Sequence, residues 1–509
     1  MSGVEQPAPT RRPLVWVTLA VVVALAAGGI ATAVRAEPPA PEPAVTASVV
    51  DTTLACPGLR SRTGYTDSTV AAATPPRAAG AGPAAPAADS AAVVRTLTPE
   101  VTASKTLITL TKTGQRGSYT GRNGERDSVV GRGTGDLAPG FSVTQTERTV
   151  DGSGRGLAST QCLPTGSDFW FVGAASGVGQ RATLVLTNPE NATASVDVDF
   201  YGRRGPLEAP AARGVQVDPR SNTELRLDRV VPGEPVLAVH VKVTSGRLSA
   251  ALVETDVDGL QPRGTDWIPS TLPPAREAIV AGFPLVGTGR VGTATLDVTV
   301  PGAADAVVTL ELLTPDRTFT PAGQGVLDVR AGTVATFDLT KDLRGQPAAV
   351  RLTSTEPVVA GARVLLRRPG AYGDTLFLAA ATPLSTAAVV PDNRTTTDLA
   401  TRLLLTAPEG DATVVVSAFD GTQTTDRTLT IAGGTTRGLS VADPGRGTGF
   451  GLVVAPAAGS PPVVGVRFLD EEGSRGPLVS ALPLRPARIT ALVRPAVPQL
   501  DAGMPGQPS

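Results

Sequence analysis

Beyond its first forty positions the chain is dominated by short runs in which apolar and polar residues alternate. From Leu237 to Val243, Leu237, Val239, Val241 and Val243 fall on one side while Ala238, His240 and Lys242 fall on the other. That period of two predicts a strand with one buried and one solvated face. A 3.6-residue period is absent from this part of the chain, so long amphipathic helices are not expected.

The strand pattern recurs. ATLVLTNP (Ala182 to Pro189), ATLDVTVP (Ala294 to Pro301) and TRLLLTAP (Thr401 to Pro408) open three similar stretches, with Pro301 lying 112 residues after Pro189 and Pro408 lying 107 after Pro301. Each opening is followed by a second strand (ASVDVDFYG, AVVTLELLT, ATVVVSAFD), then by a strand, a tight turn and a strand, and finally by a hairpin-like block. A repeat of about 110 residues carrying six or seven strands is the size of a sandwich domain. The pattern predicts an all-β chain of tandem immunoglobulin-like β-sandwiches over residues 167–273, 274–385 and 386–496, behind an N-terminal β-module at 45–166. An Ala/Pro-rich insertion at 74–88 interrupts that module, Pro-rich joins lie at Ile268 to Pro274 and around Pro383, and 497–509 reads as a disordered tail. ARITALVRP, just before the tail, is expected to complete the last sandwich or to begin a missing one.

The first forty residues differ. Leu14 to Val34 is uncharged and long enough, at 1.5 Å per residue, to cross about 30 Å of hydrocarbon. Arg11 and Arg12 precede it, so a cytoplasmic tail (1–12), a transmembrane signal-anchor (13–35) and an extracellular remainder are expected. A cleavable signal peptide is the alternative, since Ala31 and Ala33 supply an A-x-A site, and a twin-arginine signal is a further one. The EPPAPEP run within 36–44 reads as a stiff spacer lifting the next module off the surface.

Composition sharpens this picture at three points. Gly and Pro supply 102 of 509 residues, against average usage of about 12%, which favours turns over helices. The 45 Lys and Arg nearly cancel the 46 Asp and Glu, leaving no basic footprint for nucleic acid. Two cysteines, Cys56 and Cys162, lie past the export segment and are expected to pair in an oxidising compartment, closing a loop of 106 residues. One His and two Cys do not assemble tetrahedral zinc ligation, and no metal or cofactor is expected.

Candidate chemistry is sparse. His240 is the one histidine, placed on the solvent side beside Lys242, and general-base mechanisms usually recruit histidine. No G-x-S-x-G elbow, Walker A loop or HExxH helix is present. Glu254, Asp256 and Asp258 alternate into Gly259; they suit a solvated strand end, with a calcium loop or a two-carboxylate hydrolase as remoter readings. Phe169, Trp170 and Phe171 form the densest aromatic cluster; Phe169 and Phe171 should face one side and Trp170 the other, with at least one side in a core. Trp267 occupies a matching place before the second repeat. Exposed, Trp170 and Trp267 would be sugar- or protein-binding aromatics; buried, they would mark junctions. Asn191 and Asn393 begin N-x-T sequons.

GLASTQCLPTGSDFWFVG (Gly156 to Gly173) leading into ATLVLTNPENATASVDVDFYG, together with ACPG at Ala55 to Gly58, resembles a family of actinobacterial exported proteins known only as a domain of unknown function. The resemblance implies an envelope context near large glycosyltransferase genes and supplies no catalytic residues. The expected function is therefore a non-catalytic envelope surface protein with a structural or protein-interaction role, with a carbohydrate-binding or adhesin module as the alternative. Its expected partners are the membrane, through the N-terminal helix, and an envelope protein or glycan.

Overall fold

A computed structural model of the chain describes residues 3, 45–58, 66–76, 90–122, 127–284, 290–323, 325–445 and 449–493. The expected anchor at 13–35, the spacer, most of the Ala/Pro insertion and the tail at 497–509 lie outside the described residues. Among those described, no helix is long and apolar enough to cross a membrane.

The described chain is all-β, and its strands fall into four consecutive sets. The first set is Asp51–Cys56, Thr66–Ala73, Ala92–Thr96, Thr106–Leu110, Arg116–Arg122, Val129–Thr134, Ser142–Thr149 and Gly156–Gln161. In spatial order these give one sheet of strands first, sixth, third, fourth and a second of fifth, second, seventh, eighth, with every neighbour antiparallel. The sets spanning 168–268, 275–379 and 388–483 have the same order. Small departures distinguish them. Two short strands, Gly205–Leu207 and Val215–Val217, stand for the fourth in the second set, as Thr318–Phe319 and Val326–Val329 do in the third. In the third set the sixth and seventh strands are one 20-residue strand, Ala348–Arg367, whose first half belongs to one sheet and second half to the other.

The N-terminal part, expected as a distinct β-module, is thus a fourth copy of the repeated arrangement. The shared opening motif does not extend into it, and the Ala/Pro insertion sits between its second and third strands, which hid the correspondence. The strand-like ARITALVRP also departs from expectation: Thr490–Val493 pairs with Val45–Ser48 rather than joining the last set.

Each module buries the apolar side of both its sheets in one core. In the first, Leu54, Cys56, Val70, Val94, Ile108, Val143 and Cys162 meet. Cys56 ends the first strand, Cys162 follows the eighth, and their disulfide ties one sheet to the other at a Cα–Cα distance of 4.4 Å. The second core contains Phe169, Phe171, Leu184, Val198 and Val239, as alternation requires. The third is continuous with apolar residues of the fourth, including Val464, Val466, Phe468 and Val479.

Within the compact unit Ser48–Ala491 the four eighth strands, Gly156–Gln161, Gln261–Ile268, Gly373–Ala379 and Gly476–Pro483, pack together. The first touches the second, the second the third, the third the fourth, and the fourth returns to the first. The modules therefore close into a ring rather than following one another in a row. Close approach requires glycine: a Cβ on Gly264, at φ +134°, would lie 2.2 Å from the Thr375 nitrogen, and one on Gly156 would lie 2.4 Å from the Thr265 oxygen.

Candidate functional site

The residues that sequence offers for chemistry lie at the joints of this ring. Between the second and third modules, Arg363 on the long strand donates to Glu254 and, at 3.3 Å, to Asp256, and reaches the Gly173 carbonyl at 3.1 Å. Glu254 is 1% exposed and also accepts from the Ala175 amide at 2.6 Å. Burial pushes the Glu254 carboxyl up to about 7, against the pull of Arg363. Asp297, which accepts from the Thr336 hydroxyl at 2.6 Å, is pushed up to about 6 for the same reason. Glu254 and Asp256 are therefore not a solvated strand end as expected. Arg363 lies 109 residues beyond Glu254 in the chain, beyond the reach of any local pattern. Asp258, past the joint, is exposed.

At the ring centre Asp374 is fully buried. It accepts from the amides of Leu157 in the first module at 3.1 Å and Val479 in the fourth at 2.8 Å, and from its neighbour Thr375. Burial pushes its carboxyl up to about 8, opposed by these N–H groups and by Arg155. Asp266 repeats the device, accepting from the Ser159 amide at 3.0 Å, the Trp267 amide at 2.9 Å and the Ser480 hydroxyl at 3.2 Å; burial raises it well above its ordinary value. Arg155, from the first module, donates to the carbonyls of Gly373, Gly476 and Pro477. These groups join all four modules. Sequence reasoning passed over all of them, because the two Asp lie inside strands, where they read as outward-facing until the strands of other modules cover them, and Arg155 lies just before its strand.

His240 lies on the expected face and is half-buried there. Its ring stacks on Trp170 with centroids 3.8 Å apart, and its Nε2 lies 2.8 Å from Asp168. Trp170 is 4% exposed and packs with Val172, Val236 and Ala238 against Val334 and Val359 of the third module. Trp267, 1% exposed, packs with Val185 and Val253 against Ala158 of the first. Neither indole presents a face to solvent, which corrects the reading of Trp170 and Trp267 as binding aromatics; both fill joints. Phe169 and Phe171 point oppositely, into the core of the second module.

The joint between the first and fourth modules holds a cleft, as the joint between the third and fourth does. A cleft of about 230 Å³ is lined by Thr69, Ser118 and Thr120 of the first module and by Arg394 and Thr395 of the fourth, with Arg116 among its walls. Beneath it Asp392 is fully buried and takes both Arg394 contacts at 3.3 Å and Arg116 at 3.5 Å. Despite burial, the guanidiniums of Arg394 and Arg116 hold the Asp392 carboxyl below its ordinary value.

Repeated antiparallel two-sheet modules joined by buried polar groups define the class: an all-β protein. Residues 118–442 match a family of unknown function, DUF5719, and the chain belongs to that family. No curated protein matches the chain. Among solved structures, a Streptomyces avermitilis alpha-L-rhamnosidase complexed with L-rhamnose shares 10% identity at a TM-score of 0.12. That pairing covers 86% of this chain and 57% of the rhamnosidase chain, and at such a score it carries no argument about fold or activity.

Proposed function

We propose that this protein is a non-catalytic surface protein of the cell envelope with a structural or protein-interaction role, held at the membrane by its N-terminal apolar segment. The observation that carries the reading is where the titratable groups are used. Glu254, Asp256, Asp266 and Asp374 are buried between modules and bonded to an arginine, to amides or to a hydroxyl of another module, while His240 is stacked and bonded on a strand face. Acid–base work needs such groups within reach of a substrate proton. Here they join modules instead. The carboxylates at 254 and 256 grip Arg363 and do not face each other across a cleft, so nothing favours the two-carboxylate hydrolase.

At the level of fold we propose that the modules are immunoglobulin-like. Support comes from the second strand lying beside the fifth and the third beside the sixth, the places that B with E and C with F hold in immunoglobulin domains. The 21-residue uncharged stretch after Arg11 and Arg12 supports the anchor.

The test is capture of partners from gently solubilised membranes with the tagged full chain, alongside deletion of the gene. A specific envelope partner, or a changed surface polysaccharide or envelope permeability on deletion, is the expected result. Unchanged polysaccharide, partner level and permeability would overturn the reading.

A further inference from the structure

Beside Trp267 lies a cavity of about 30 Å³ whose walls include Ser159, Ser249, Trp267, Ser270 and Arg485. Three modules contribute to it: Ser159 belongs to the first, Ser249 and Trp267 to the second with Ser270 just beyond, and Arg485 follows the last strand of the fourth. No Asp or Glu is among its described walls.

Those walls offer hydrogen-bond donors. Arg485 donates from Nη2 to the Ser270 carbonyl and, at 3.0 Å, to the Ser270 hydroxyl oxygen. Having accepted there, the Ser270 hydroxyl still has its own proton to donate, and Ser249 adds a second hydroxyl. Trp267 is 1% exposed, and its indole N–H finds no acceptor among the described residues. A buried N–H is costly to leave in that condition, so the space it lines favours an occupant that accepts.

The charge points the same way. Among the described residues, burial holds four arginines below their ordinary value, and three of them have carboxylates pulling back. Arg116 has Asp392, Arg155 has Asp374, and Arg467 has Asp392 and Asp266. Arg485, lowered to about 10, has none. A half-buried cation without a counter-charge attracts one.

We propose that this cavity binds a single halide-sized anion, chloride being the type, held by the Arg485 guanidinium together with the N–H of Trp267 and the hydroxyls of Ser249 and Ser270. One water molecule needs roughly 10–15 Å³, so the space takes one ion and excludes a sugar acid or a phosphate ester. Because its ligands come from two modules and the walls from three, the ion fastens the joint, and its binding adds to the stability of the fold.

Thermal unfolding of the purified full chain, with sodium gluconate exchanged for sodium chloride, tests the proposal; constant ionic strength holds screening fixed. The midpoint should rise by about 1–2 °C at saturation. Arg485→Gln should raise the half-saturating chloride concentration roughly tenfold or more, the loss expected for a charged hydrogen bond, and Ser249→Ala should raise it by a smaller factor. Bromide soaked into crystals of the unaltered chain gives a readout that needs no variant: its anomalous scattering should place the ion beside the Arg485 guanidinium. A midpoint indifferent to chloride, a response that Arg485→Gln leaves unchanged, or bromide absent from the cavity would overturn the proposal and leave a cavity that holds water only.

Discussion

The side chain of Arg363 belongs to the third module, yet its partners Glu254 and Asp256 belong to the second. A buried ion cluster of this kind is costly to assemble and more costly to break, because removing one member leaves the others as uncompensated charge. Arg363→Leu should therefore lower stability by about 3–5 kcal/mol, read from the denaturant midpoint. Adding Glu254→Gln should recover part of the loss, since the two residues act as one unit. The raised carboxyls have a consequence in pH. Glu254 and Asp297 hold their protons more tightly in the folded than in the unfolded chain, with folded values of about 7 and about 6. Their contribution is fully present below about pH 4 and is lost as pH rises through those values, by about 1.4 kcal/mol per unit for each proton. Denaturation across pH 4 to 8 should show falling stability, and Asp297→Asn should flatten the lower half of that fall. An unchanged slope in the variant would contradict the assignment.

At the scale of elements, the eighth strands do the joining, and glycine sets how closely they approach. Gly264→Ala would place a Cβ against the Thr375 backbone at a φ that L-residues avoid. A loss of at least about 1–3 kcal/mol is expected from backbone strain alone. Gly205, whose φ is also positive but whose Cβ would meet nothing within 4 Å, supplies the control; Gly205→Ala should cost less than Gly264→Ala, and equal costs would show that strand contact is not limiting. The disulfide acts on another pair of elements, tying the first strand of the first module to the end of its eighth. By loop length alone, Cys56→Ser with Cys162→Ser should cost up to about 4–5 kcal/mol, visible as a lowered thermal midpoint.

Much of the element level was legible in the sequence. Period-two alternation found the strands around Leu237 to Val243, the LTNP-type segments mark the second strand of each of three sets rather than its start, and the two cysteines expected to pair do so. Three things were not legible. The first module's kinship is carried by strand order, which pairing reveals and local pattern does not. Asp266 and Asp374 are buried only because strands from other modules cover them, which alternation within one strand does not reveal. Ala238, His240 and Trp170 fail in the same way: they lie on the outer face of their sheet, as alternation requires, but that face is largely covered by the third module or by one another.

Across Ser48–Ala491 the closed arrangement replaces the expected row of sandwiches. Every module touches two others along the ring, and the third and fourth share a core. Unfolding should consequently be cooperative across Ser48–Ala491 rather than four separate transitions; four resolved calorimetric transitions would contradict this. The most direct test of ring closure is small-angle scattering from a soluble chain spanning 48–491. Closure predicts a radius of gyration of about 22 Å, the value for a compact chain of that length. Four modules strung end to end would give about 40 Å, and a value near that figure would contradict the account.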